Sequence, residues 1–211
     1  YWDTVGRWIP RRVRRDAQRL HVPVLHVQAR DDCSNFPFSA MGTDTRESVT
    51  EHILTKTNMT LTGNLHGIFS AHVEMRVRLK RNVSLKQGLA QEAEGNIIDV
   101  LLPESASPEL QSAWAAQACF EEFIVDEVPL GVWVLMDDYI QNPNTDLATQ
   151  KILDAGGGYV DRETGKRILS DEEKDLAQRL LFVERHTSFP FKVVHKKVTY
   201  KLTRTQLPLT H

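Results

Sequence analysis

The sequence predicts an α+β fold, a mainly antiparallel sheet with packed helices, led by a basic N-terminal arm. Three stretches carry that expectation. In HGIFSAHVEMRVRLKRNVSL (66–85), Val73, Met75, Val77 and Leu79 alternate with Glu74, Arg76, Arg78 and Lys80. That period of two belongs to a strand with one wet side. In SPELQSAWAAQACFEEFIVDE, Ser107 stands as N-cap, Pro108 takes the first helical position, and Leu110, Trp114 and Ala118 follow at helical spacing. Residues 158–202 read as strand, charged turn, strand and a last strand, FKVVHKKVTYKL, that closes the sheet.

Along the chain, the arm YWDTVGRWIPRRVRRDAQRL starts extended and turns helical after Pro10. Its six arginines (Arg7, Arg11, Arg12, Arg14, Arg15, Arg19) outweigh Asp3 and Asp16, so residues 1–20 carry +4 and the remainder −6. With Trp2, Trp8 and Ile9 as apolar anchors, the arm suits an anionic surface or, equally, an amphipathic segment packed on its own domain. HVPVLHVQARDD is a short β-rich run, and residues 35–45 are turn-like. SVTEHILTKTNMTLTG (48–63) reads as strand, its first half also compatible with a helix. After NIIDVLLP comes the Ser107 helix, closed by Pro129 and Gly131. NPNTDLATQKILDAGGG is a second helix, capped at Asn144 or Thr145 and stopped by its glycines.

The 211 residues suit one domain with an appendage. The expected division is an arm at 1–20, a single α+β domain at 21–205 with a helical insertion over 86–157, and a tail at 206–211. The 41% hydrophobic and 26% charged fractions are those of an ordinary folded protein. No apolar run approaches the about 18 residues of a membrane span. FIVDEVPLGVWVLMDDYI, the most apolar stretch, is broken by Asp126, Glu127 and Pro129 and reads as a buried strand or helix. Cys33 and Cys119 are too few for a disulfide framework and fit no zinc spacing, which points to a reducing compartment or to a fold that needs no staples; an intracellular place is the expectation beside the mitochondrial one below. The sequons Asn58-Met-Thr60 and Asn82-Val-Ser84 are short enough to arise by chance.

No stretch forms a catalytic signature. The glycines at 156–158 follow a helix, as a stop signal does, and match neither GxxxxGK[ST] nor GxGxxG. His66 and His72 have the even separation of one strand face, but no spacing supports a metal site. The pairs Asp31-Asp32, Glu121-Glu122 and Asp137-Asp138 point to opposite faces in a strand, so adjacency makes no acid/base couple.

Two resemblances add to this reading. VPVLHVQARDD resembles the late strand of α/β-hydrolases, a match extending over residues 21–70. It implies that Asp32 orients His66, in NLHGIF, as a base, although the nucleophile turn G-x-S-x-G is missing. YVDRETGKRI, LLFVERH and FKVVHKKV resemble the end of the mitochondrial inner-membrane import-motor and ribosome-anchor family. The parallels are Asp161, Gly165, Phe182, Val183, Glu184, Arg185, His186 and His195. TGNLHGIFSAHVEMRVRL (62–79) is similar to that family's entry into a long basic strand. The likeness covers 48–85 and 158–202, with 86–157 as a large insertion. It implies a curved, cone-like sheet shared with nuclear transport factor two, no catalysis, and a place on the matrix side of mitochondria.

The role expected first is a structural subunit of a large assembly, without catalytic residues, cofactor or metal. It would attach to other protein subunits, ribosomal RNA or an anionic membrane surface through Arg7, Arg11, Arg12, Arg14, Arg15, Arg19, Trp2 and Trp8. A degenerate hydrolase using Asp32 and His66, and a small-ligand binder using the open mouth of the sheet, are the alternatives.

Overall fold

The computed structural model describes residues 2–35, 42–56, 62, 65–82, 89–125, 127–138 and 142–210, without the side chains of 2–10, 44–46, 51 and 54–56. The first sequon, most of the second, and part of the turn expected at 35–45 lie outside the described residues. In chain order the elements begin with α1 (Trp2–Leu20), β1 (Val24–Gln28), β2 (Arg30–Cys33), α2 (Thr43–Lys56), β3 (Ile68–Ala71), β4 (Arg76–Leu79) and β5 (Glu94–Leu101). They continue with α3 (Pro108–Ala116), β6 (Glu122–Val125), β7 (Gly131–Met136), α4 (Thr145–Asp154), β8 (Tyr159–Val160) and β9 (Arg167–Ile168). The last are α5 (Asp171–Arg179), β10 (Leu180–Glu184), β11 (His186–Thr187), β12 (Phe191–His195), β13 (Val198–Gln206) and β14 (Leu209–Thr210).

The α+β class and the mainly antiparallel pairing are as expected. The strands divide into a three-stranded sheet (β3-β1-β6), a five-stranded sheet (β10-β7-β5-β4-β14), a sheet in which β13 carries β2, β11 and β12, and the β8-β9 hairpin. β1 and β6 run parallel, and the other described pairs are antiparallel. One core lies under the first two sheets and takes in Val13 and Ala17 of α1 with Leu110 and Trp114 of α3. A second joins Val49 and Ile53 of α2 to Phe191, Val193, Tyr200 and Leu202. A third packs α4 and α5 on Trp133 and Leu180.

Several local expectations change. α1 is helical from Trp2, through Pro10, because burial of Val13 and Ala17 fixes it against the sheet. Residues 43–56 are helical, since Val49 and Ile53 recur four apart and fill the second core. The 66–85 strand keeps its predicted faces, with Met75, Val77 and Leu79 buried and Glu74, Arg76 and Arg78 exposed. It is nonetheless cut in two around Glu74, at φ 67°, and its halves join different sheets. The Ser107 helix has the predicted cap, Ser107 Oγ accepting from Leu110 N at 3.2 Å, but it ends at Ala116. There Gln117 turns left-handed at φ 45°, so Ala118 lies outside the helix and Glu122–Val125 becomes a strand.

Gly156 and Gly158, at φ 94° and 78°, stop α4 as expected. The acidic stretch 171–179 is a helix, opened by a reciprocal box between Ser170 and Glu173. FKVVHKKVTYKL is a hairpin rather than one strand, turning at Lys196 and Lys197. Residues 86–157 supply β5 and β7 at the centre of the five-stranded sheet, so they are integral rather than inserted. Residues 206–210 are likewise no tail: β14 pairs with β4, and Gln206, Leu207 and Leu209 are fully buried.

Candidate functional site

α1 presents two faces. Val13 and Ala17, four apart, point into the core, which leaves Arg11, Arg12, Arg15 and Arg19 exposed. Arg11, Arg15 and Arg19 repeat every four residues, about 6 Å of rise per step, and have no partner among the described residues. Arg12 lies 3.8 Å from Asp16, a loose i,i+4 pair with the arginine side chain 81% exposed. The side chains of Trp2, Arg7 and Trp8 lie outside the described residues.

Arg14 has another job. Its Nε and Nη2 grip both oxygens of Glu122 on β6 at 2.7 and 2.8 Å. Glu122 Oε2 is also 3.0 Å from His26 Nε2, and His26 Nδ1 is 2.9 Å from Ser70 Oγ. Ser70, His26 and Glu122 stand on β3, β1 and β6, adjacent across the sheet. The run of hydroxyl, imidazole and carboxylate has the order of a nucleophilic triad. Ser70 is only 3% exposed, however, so a substrate cannot reach its oxygen. The chain is an internal clasp between helix and sheet. The Arg14 hydrogen bond holds the Glu122 carboxyl below its usual range, partial burial opposes it, and His26 adds to it.

The residues of the hydrolase resemblance have separate partners. Asp32 lies on β2, its side chain 58% exposed, 3.4 Å from Arg30. His66 Nε2 meets Thr210 Oγ1 at 3.1 Å, and burial, with Lys80 and Arg204, lowers its pKa to about 4. Such an imidazole stays neutral at physiological pH and is a poor proton acceptor. Asp31, by contrast, turns inward to Arg204, so the adjacent acids do occupy opposite faces. His72 donates through Nδ1 to Val73 O at 2.6 Å, away from His66. Among the described residues no group of three His, Cys, Asp or Glu is placed to hold a metal.

At the opposite end of the polarity scale, a cleft of about 650 Å³ opens beside β5 and α3. Pairing of β5 with β7 is irregular between Ile97 and Asp99. Asp99 Oδ1 accepts from Trp114 Nε1 at 3.0 Å and from Val100 N at 2.8 Å, and its Oδ2 pairs with Lys151 of α4. No motif in the sequence marks this cluster, because its acid, indole and amine come from three elements.

No family model matches the chain, and no curated protein matches it. Among solved structures, the Pif1 helicase from Candida albicans matches at a TM-score of 0.38 and 13% identity, over 96% of this chain and 32% of that one. Unliganded Pif1 from Bacteroides sp matches at a TM-score of 0.33 and 12% identity, over 89% of this chain and 32% of that one. The chain thus spans about a third of each. These findings overturn the likeness to the import-motor and ribosome-anchor family with its nuclear-transport-factor-two-like cone. The neighbours are of another kind, and of the paralleled residues Gly165 turns at φ 66° and Phe182 packs on the Trp133 ring at 4.9 Å. Asp161 accepts from the amides of Glu163 and Thr164 in its own turn, and Arg185 Nη1 donates to Val128 O at 3.0 Å.

Proposed function

We propose that the chain is a non-catalytic attachment module that grips the phosphate backbone of a nucleic acid through α1, as one subunit of a larger assembly. The observation that carries this reading is the exposed stripe of Arg11, Arg15 and Arg19 on a helix whose other face is fastened to the core. Guanidinium groups fork onto phosphate oxygens. A helix already fixed in place presents them with little further ordering cost. Because residues beyond α1 carry net negative charge, attraction to a polyanion is concentrated on this helix.

The test is fluorescence anisotropy with a labelled oligonucleotide across a salt series. Binding weakens with salt with a log–log slope of about 2–3, and Arg11→Gln/Arg15→Gln/Arg19→Gln removes most of that slope. Binding that ignores salt, or that survives the triple substitution, refutes the proposal. So does binding to anionic vesicles without binding to nucleic acid.

A further inference from the structure

The cleft beside β5 belongs to neither the arginine stripe nor the clasp. Ile98 and Leu101, 39% and 44% exposed, form its apolar floor with the half-buried Leu102. Three charges face it: Asp99, Glu104 and Lys151. Lys151 offsets Asp99, whose first oxygen is filled by the Trp114 and Val100 N–H groups. Glu104 is exposed and has no partner among the described residues, so the lining carries one uncompensated negative charge. Oxygen acceptors therefore outnumber charged donors beside an apolar floor, in a volume the size of a small-molecule site.

We infer that this cleft binds a small organic cation, a primary ammonium on a short apolar body. The ammonium sits at Glu104 with Asp99 Oδ2 within the same cluster, and the body covers Ile98, Leu101 and Leu102. Lys151 competes with the ligand for Asp99, so it tempers affinity rather than supplying it.

Calorimetric titration of the whole chain with 4-phenylbutylammonium, 4-phenylbutyrate and 4-phenylbutanol reads the charge preference on one shape. The expected result is saturable one-to-one binding of the ammonium, at least five-fold tighter than the carboxylate, with a shift of the Trp114 indole N–H resonance. Glu104→Gln weakens the ammonium about five-fold, as loss of an exposed ion pair does. Lys151→Gln tightens it, while the thermal unfolding of both variants confirms that they fold. Absence of saturation with all three compounds, equal or tighter binding of the carboxylate, or identical affinities in both variants overturns the inference.

Discussion

Arg204 and Asp31, directly opposed across β13 and β2, form a two-point ion pair with both contacts at 2.8 Å and side chains only 2% and 8% exposed. Arg204 Nη2 also donates to Ile53 O at 3.0 Å, which ties α2 to the same sheet. Removing one partner strands a buried charge, so Asp31→Asn lowers unfolding free energy by about 3–5 kcal/mol in urea denaturation. The double substitution Asp31→Leu/Arg204→Met recovers most of that loss, because desolvation of both charges disappears with them.

The Arg14–Glu122 clasp has a pH signature. The folded carboxyl titrates below its unfolded value of about 4.3, so its contribution is present above that pH and is lost as pH falls through the folded pKa. The stability gap between the wild type and Glu122→Gln, compared from pH 7 downward, therefore stays constant above about pH 4.3 and narrows as pH falls below it. A gap that does not narrow at all below that pH excludes the clasp as its source.

His66 also loses stability as pH falls, but from a higher pH and through burial rather than an ion pair. Its folded pKa of about 4 lies below the unfolded value of about 6.5, so the unfolded chain takes up a proton first as pH falls. Stability from this group is full above about pH 6.5 and declines toward pH 4, by up to about 3 kcal/mol. His66→Gln flattens that segment of the stability curve. Titration of the His66 imidazole by NMR gives the folded midpoint directly.

The hairpin turn offers a stabilising change. Lys196 and Lys197 sit at φ 48° and 66°, the positive-φ pair that Asn-Gly adopts readily in two-residue turns. Lys196→Asn/Lys197→Gly raises unfolding free energy by about 1 kcal/mol, read from the shift in denaturation midpoint.

What the sequence reveals follows the range of the interactions. The Ser107 cap, the glycine stop after α4 and the two faces of 73–80 are local, and each was readable. α5 was readable too, since Ser170 and Glu173 spell a capping box, but its acidic composition masked it. The Lys196-Lys197 turn was hidden because neither residue signals a positive φ. The clasp was out of reach: His26 meets Ser70 and Glu122 across 44 and 96 positions, and only strand order brings them together. The arginines were visible as a cluster, while the separation of Arg14 from Arg11, Arg15 and Arg19 required knowing where Glu122 lies.

The placement of β13 sets the order of assembly. This strand is bounded on one side by β12 and on the other by β2, whose residues 30–33 precede it by some 170 positions, and Gln206 bonds the carbonyl of Val27 from the same strand. Among the described residues, β2 therefore has no strand partner until β13 has been synthesised. Closure over so long a loop is slow. It makes the nascent chain a natural client for factors that shield unpaired strands.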